Sequence, residues 1–286
     1  MEAGFAREVL LPIAIFMIVF GIGMELGIED FTRVLRDRRT LAVGMVIQSL
    51  VFPLVALPLV AVLDLPPHLA AGFVLMAACP SGGFSNIITH IAAANVALSI
   101  TMTTFSTLLA VFTMPAILYL SRGGEVLMVP MSVLAGQLFF AVLMPIGAGI
   151  AFRRARPQVV ERYGKTYLRY SNIYVYTVVG WMFYQGGLAP FAGFVQAFQI
   201  SLVLFAASAL PAFLLAKSAH ANVDDAFTIA IEASIRNMAL ATLIALSGLG
   251  RLDLLAAPTA YFFACALFGL VVAVIYKPYR ARFRTQ

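Results

Sequence analysis

The sequence predicts an all-α integral membrane protein of nine transmembrane helices, arranged as an inverted repeat with two broken spans. Composition, the length of the apolar runs and the placement of basic residues predict it. The chain has 286 residues, of which 62% are hydrophobic and only 11% charged, and its mean hydropathy is +0.96. A soluble domain averages about 45–50% apolar and about 25% charged, so this chain could not cover a water-facing surface. Its apolar segments run for about 20 residues, the length of a membrane-crossing helix, rather than alternating over about ten as barrel strands do.

Charges and turn residues divide the chain into the nine runs. The first, 9–28, has no basic region or A-x-A cleavage site before it and is read as a retained span. Glu25 is read as a residue at its membrane boundary. The second, 41–63, follows a basic cluster at 33–39 and carries Gln48. The third, 69–91, follows the short loop "DLPPHL" and is interrupted by "CPSGGFSN"; the fourth, 95–120, opens on "NVALSITMTTFST". The fifth, 128–152, and sixth, 167–187, flank "RRARPQVVERYGKTYLR" (153–169), the longest connection. The seventh, 194–217, ends on Lys217, and the eighth, 225–246, follows "HANVDDA" and contains Glu232, Arg236 and Asn237. The ninth is 256–277.

Basic residues test this segmentation. With nine spans, connections alternate sides; fifteen of the nineteen Lys and Arg then fall on one side, three on the other, and Arg236 lies within a span. The positive-inside rule places the N-terminus outside and the C-terminus in the cytoplasm, in a cell (inner) membrane. The net charge of +6 thus belongs to loops beside an anionic leaflet, not to a nucleic-acid surface. Cys79 and Cys265 both lie in spans without CxxC spacing. His68, His90 and His220 have no partner at metal or triad spacing, so the sequence offers no enzyme site.

The third and eighth spans echo one another. Each follows a short polar loop, is broken mid-way by polar or small residues, and is followed by one more span. They are five spans apart, so they enter from opposite sides, which makes an inverted repeat. Two interrupted helices at matching positions point to a binding site at the midplane. In "CPSGGFSN", Pro80, Gly82 and Gly83 break the helix and free backbone groups. Such a stretch survives in lipid only where it packs on protein or lines a cavity. Ser99, Thr103 and Ser106 share one face of the fourth span. Hydroxyls, an asparagine carbonyl and the Glu232 carboxylate are hard oxygen donors, suited to a hard cation.

"PSGGFSNIITHIAAANVALSITMTTFSTLLA" and "EASIRNMALA" resemble the two signature regions of the bile acid:sodium symporter family. The chain is similar to the family over nearly its whole length, including "GIGMELGIEDFTRVLRDRR"; some members have ten spans, and the resemblance implies nine here, without their first helix. The resemblance implies a panel of spans 9–28, 128–152 and 167–187, and a core of 41–63, 69–91, 95–120, 194–217, 225–246 and 256–277. It implies a first sodium site of Ser85, Asn86, Ser99, Thr103 and Glu232. The family's second sodium site would use Gln48, Glu232, carbonyls near Ala233 and Ile235, and a glutamine where this chain has Arg236. Gly83 also departs, standing where many members have a threonine lining the substrate cavity.

A guanidinium has five donors and no acceptor, so it cannot ligate sodium. A charge at mid-bilayer costs about 2.5–3.5 kcal/mol on insertion scales and needs a partner. Glu232, four residues away, is the expected partner; Arg236 is expected to stand in for the second sodium, leaving at most one. Asn237 is expected on freed backbone or on substrate. The bland reading of Glu232 and Arg236 is an ion pair that fixes the helix crossing. The implied function is secondary transport of an organic anion, bile-acid-like or a small carboxylate, probed from alternate sides of the bilayer. The alternatives are a sodium-independent organic anion carrier and a sodium/proton-type antiporter of related fold. No nucleic acid and no obligate protein partner is inferred.

Overall fold

The computed structural model describes residues 9–25, 38–121, 136, 139–186 and 192–283. The described chain is helical: α1 (Leu11–Glu25), α2 (Arg38–Val62), α3 (Pro67–Ala78), α4 (Phe84–Ile91), α5 (Val96–Leu120), α6 (Met144–Ala155), α7 (Pro157–Gly186), α8 (Phe194–Ser218), α9 (Val223–Ser234), α10 (Met238–Leu243) and α11 (Ala256–Phe283). Two π turns, Phe139–Leu143 and Ile244–Gly248, and a 3₁₀ turn, Leu252–Leu255, join them. Four stretches, Arg38–Val62, Val96–Leu120, Phe194–Ser218 and Leu252–Arg280, are long and apolar enough to cross a membrane. The chain is therefore read as a multi-pass membrane protein. The ends of the nine predicted spans at 26–28, most of 128–138 and 187 lie outside the described residues, as do Arg33, Arg36 and Arg122.

The stretch 153–169, the longest connection in the sequence, has regular structure of its own. It is helical except at Arg156, with α6 ending at Ala155 and α7 starting at Pro157. Arg, Gln, Glu and Lys are good helix formers, and proline is tolerated at the first position of a helix. The connection between α6 and α7 is thus a single residue, Arg156.

The helices pack in two groups. α1 lies against α6 and α7. Its approach to α6 is backbone-close: a Cβ on Gly23 would meet the Ile146 carbonyl at 2.4 Å, and one on Gly149 the Phe20 carbonyl at 2.3 Å. Small residues let membrane helices approach this way. In the second group α9 packs on α2, α5 and α8, and α11 on α3, α4 and α8; the Phe139–Leu143 turn touches α5. α9 is central, with every residue from Asp225 to Ser234 buried.

Polar contacts tie like ends together. At one end the Asn95 amide donates to Asp225 at 2.6 Å and the Asn95 N–H to Thr228 Oγ1 at 3.1 Å. There Tyr276 (2.8 Å) and Arg280 (2.6 Å) donate to Asp224. At the other end His68 Nε2 lies 3.2 Å from the Ala192 carbonyl. Asn95 and Asn222 also cap α5 and α9, accepting from Leu98 and Asp225 N–H groups.

Candidate functional site

Both broken helices are present. α3 stops at Ala78, and Cys79 is extended (φ −65°, ψ 146°) because the residue before a proline is pushed out of the α region. α4 restarts at Phe84 with Gly83 as its cap. The second break contains neither proline nor glycine. α9 ends at Ser234, Ile235 is extended (φ −92°, ψ 116°), and Asn237 caps α10 by accepting from the Leu240 N–H.

The two breaks satisfy each other. Ser81 and Arg236 form a single antiparallel β-bridge, and the Asn237 N–H donates to the Pro80 carbonyl at 2.8 Å. Gly82 permits the approach, since a Cβ there would lie 2.8 Å from Asn237 Cα. The Ser234 carbonyl, released where α9 ends, accepts from the Tyr261 hydroxyl at 2.5 Å. Backbone groups buried away from water need such partners.

Beside the crossing sits an oxygen cluster. Ser85 and Ser99 both donate to Glu232 Oε1 at 2.5 Å, and Thr103 to Oε2 at 2.9 Å. The same three hydroxyls also reach other acceptors. Ser85 lies 2.8 Å from the Gly82 carbonyl, and Ser99 (2.7 Å) and Thr103 (3.2 Å) reach Asn86 Oδ1. Each hydroxyl carries one hydrogen, so three protons face six acceptor contacts. Glu232, Ser85 and Ser99 are fully buried. The structure thus brings together Ser85, Asn86, Ser99, Thr103 and Glu232 from α4, α5 and α9. Ser81 and Ser106, 3.2 Å apart, extend the cluster toward the crossing; neither Ser81 nor Tyr261 is singled out by the sequence reading.

Arg236 corrects the expected ion pair with Glu232. Its guanidinium, 2% exposed, turns the other way. It donates to the Cys79 carbonyl at 3.2 Å and the Gln48 carbonyl at 2.9 Å, and lies 4.5 Å over the Phe52 ring. The extended geometry of Ile235 removes the helical spacing that would have aligned residues 232 and 236. Gln48 meets the guanidinium through its main chain; its side-chain Oε1 is buried without a hydrogen-bond partner, as is Arg236 Nε. Gly83 is exposed, with no atom within 4 Å of an added Cβ.

Comparison with known proteins finds a match of residues 12–189 to the family model described as the Sodium Bile acid symporter family. The chain is similar to "Probable sodium/metabolite cotransporter BASS1, chloroplastic" of Arabidopsis thaliana, with 30% identity over 91% of this chain and 64% of that protein. It is 31% identical to "Uncharacterized sodium-dependent transporter YocS" of Bacillus subtilis (strain 168), over 88% of this chain and 78% of that protein. Similarity to the mouse "Sodium-dependent organic anion transporter" is 26% identity over 96% of this chain and 74% of that protein. The chain thus spans less than two thirds of the length of the plant relative.

Proposed function

Because the chain belongs to the sodium bile acid symporter family, we propose that it is a sodium-coupled secondary transporter of an organic anion, working by alternating access. In this reading α1, α6 and α7 belong to a panel, the remaining helices form the core, and nine spans place the N-terminus outside and the C-terminus in the cytoplasm. The sodium dependence and the organic anion follow the sodium/metabolite cotransporter and the sodium-dependent organic anion transporter to which the chain is similar.

One observation carries the sodium site: three hydroxyl protons face six acceptor contacts around Glu232. Such an excess of oxygen lone pairs suits a hard cation. Sodium would be held by Glu232, the Ser85, Ser99 and Thr103 hydroxyls and the Asn86 carbonyl. To ligate it, the hydroxyls must turn their hydrogens away from Glu232 and present lone pairs. The ion thereby takes over neutralising the carboxylate, and the ligands from α4, α5 and α9 become one unit. Arg236, whose positive charge lies against the Cys79 and Gln48 carbonyls, takes the place of a second sodium and leaves one ion per cycle.

The test is thermal unfolding of the purified chain in sodium against potassium at matched ionic strength. Sodium raises the midpoint in the wild type, and Glu232→Gln abolishes the difference. An equal response to both ions removes the sodium site. It would favour a second reading, a sodium-independent anion carrier, which draws on the three hydroxyl donors that Glu232 already has.

A further inference from the structure

We propose that the first turns of α7 form a binding surface for the headgroup of an anionic phospholipid, with Arg162, Lys165 and Arg169 at its phosphate and Tyr163 and Tyr170 at its glycerol and upper acyl chain. The proposal uses the membrane placement of α1, α6 and α7 given above and depends on neither the sodium ion nor the cargo.

Between positions 153 and 186 the chain carries six basic residues and one acidic residue, Glu161. Arg162, Lys165 and Arg169 recur at i, i+3 and i+7, so they share about 60° of arc on a helix of 3.6 residues per turn. Val159, Tyr163 and Tyr170 form a second stripe, about 40° wide and centred about 110° further round. All six side chains are exposed. Glu161 falls on the opposite side of the basic stripe from the tyrosines.

Among the described residues no carboxylate takes up these charges: the ion pairs there are Arg251–Asp253 and Arg280–Asp224. The Arg162 guanidinium instead lies 5.2 Å from the centre of the Tyr163 ring, which joins the two stripes. A cationic stripe beside an aromatic one suits the boundary between headgroups and acyl chains, where long basic side chains and tyrosines keep a polar tip in water and an apolar body in lipid. A nucleic acid or an acidic peptide would meet the charges and leave the tyrosines unused.

The length of α7 sets the stripe at that depth. From Tyr170 to Gly186 the helix carries no charged residue, and this part is about 25 Å long, close to the hydrocarbon thickness of about 30 Å. Arg162 to Arg169 cover about 10 Å more, enough to cross a headgroup layer about 5–8 Å deep. Arg154 and Arg156, exposed at the corner between α6 and α7, add charge beyond it. In the same corner Arg153, on the last turn of α6, donates to the Met24 carbonyl near the end of α1 at 3.2 Å, and α1 packs on both α6 and α7. A lipid held here sits where the three helices meet, and by mass action its binding stabilises that group.

The experiment measures thermal unfolding of the purified full chain in neutral detergent during titration with dioleoylphosphatidylglycerol. Dioleoylphosphatidylcholine, with the same acyl chains and no net charge, and inorganic phosphate are the comparison arms. The expected result is a saturable rise of the midpoint by about 3 °C or more with phosphatidylglycerol and none with the other two. A basic residue near an anionic surface contributes about fivefold in affinity. The triple variant Arg162→Gln, Lys165→Gln, Arg169→Gln should therefore bind the lipid at least about thirtyfold more weakly and respond to sodium as the wild type does. A second triple variant, Arg38→Gln, Arg39→Gln, Lys277→Gln, removes the same charge from exposed positions elsewhere on that side of the membrane and should keep the lipid affinity within about threefold. If the first triple variant does not fold, Lys165→Gln alone weakens the lipid about fivefold. Equal losses in the two triple variants, an equal response to phosphatidylcholine, or a response to inorganic phosphate that matches the lipid's overturns the site. So does a wild type that ignores phosphatidylglycerol, and its sodium response, read on the same protein, judges the transporter reading separately.

Discussion

Glu232 and Arg236 stand four residues apart and do not pair. The carboxylate accepts from Ser85, Ser99 and Thr103, while the guanidinium donates to the carbonyls of Cys79 and Gln48. The break at Ile235 sends the two charges to different hydrogen-bond partners.

Removing ligands from the oxygen cluster should weaken sodium binding and spare the fold. Ser99→Ala and Thr103→Val each lower the apparent sodium affinity about tenfold, which corresponds to about 1.4 kcal/mol. Sodium titrations of the thermal midpoint check this, and wild-type affinity in both variants would remove the hydroxyls from the site.

The two glycines at the break should differ in tolerance. Gly82→Ala forces a Cβ to 2.8 Å from Asn237 Cα and should destabilise by about 1–3 kcal/mol through overpacking. Gly83→Thr has open space and should leave the thermal midpoint within about 1 °C, a change of about 0.5 kcal/mol or below. Equal tolerance of both would contradict the close crossing.

Asn95 joins two elements at one end of the bundle, capping α5 while donating to Asp225. Asn95→Ala should cost about 1–2 kcal/mol, the range of a lost cap, measured by thermal or denaturant unfolding. The part-exposed Arg280–Asp224 pair should matter less: Arg280→Gln costs about 1 kcal/mol or below, with a salt-sensitive difference.

The first break is legible in the sequence because Pro80, Gly82 and Gly83 each disrupt a helix for a local reason. The second is signalled only by polar residues in an apolar run, and its extended geometry depends on the bridge from Arg236 to Ser81, across 155 positions of sequence. The oxygen ligands are legible by spacing and by resemblance. The partners of Arg236 are not, since helical spacing across 232–236 assumes the helix that Ile235 interrupts. Tyr261 carries no local sign that its hydroxyl meets the Ser234 carbonyl.

The most direct measurement is the stoichiometry of radiolabelled sodium bound to the purified chain at saturation. One sodium per chain is expected in the wild type and none in Glu232→Gln. Two sodium ions in the wild type would contradict the place given to Arg236, and none would contradict the Glu232 site.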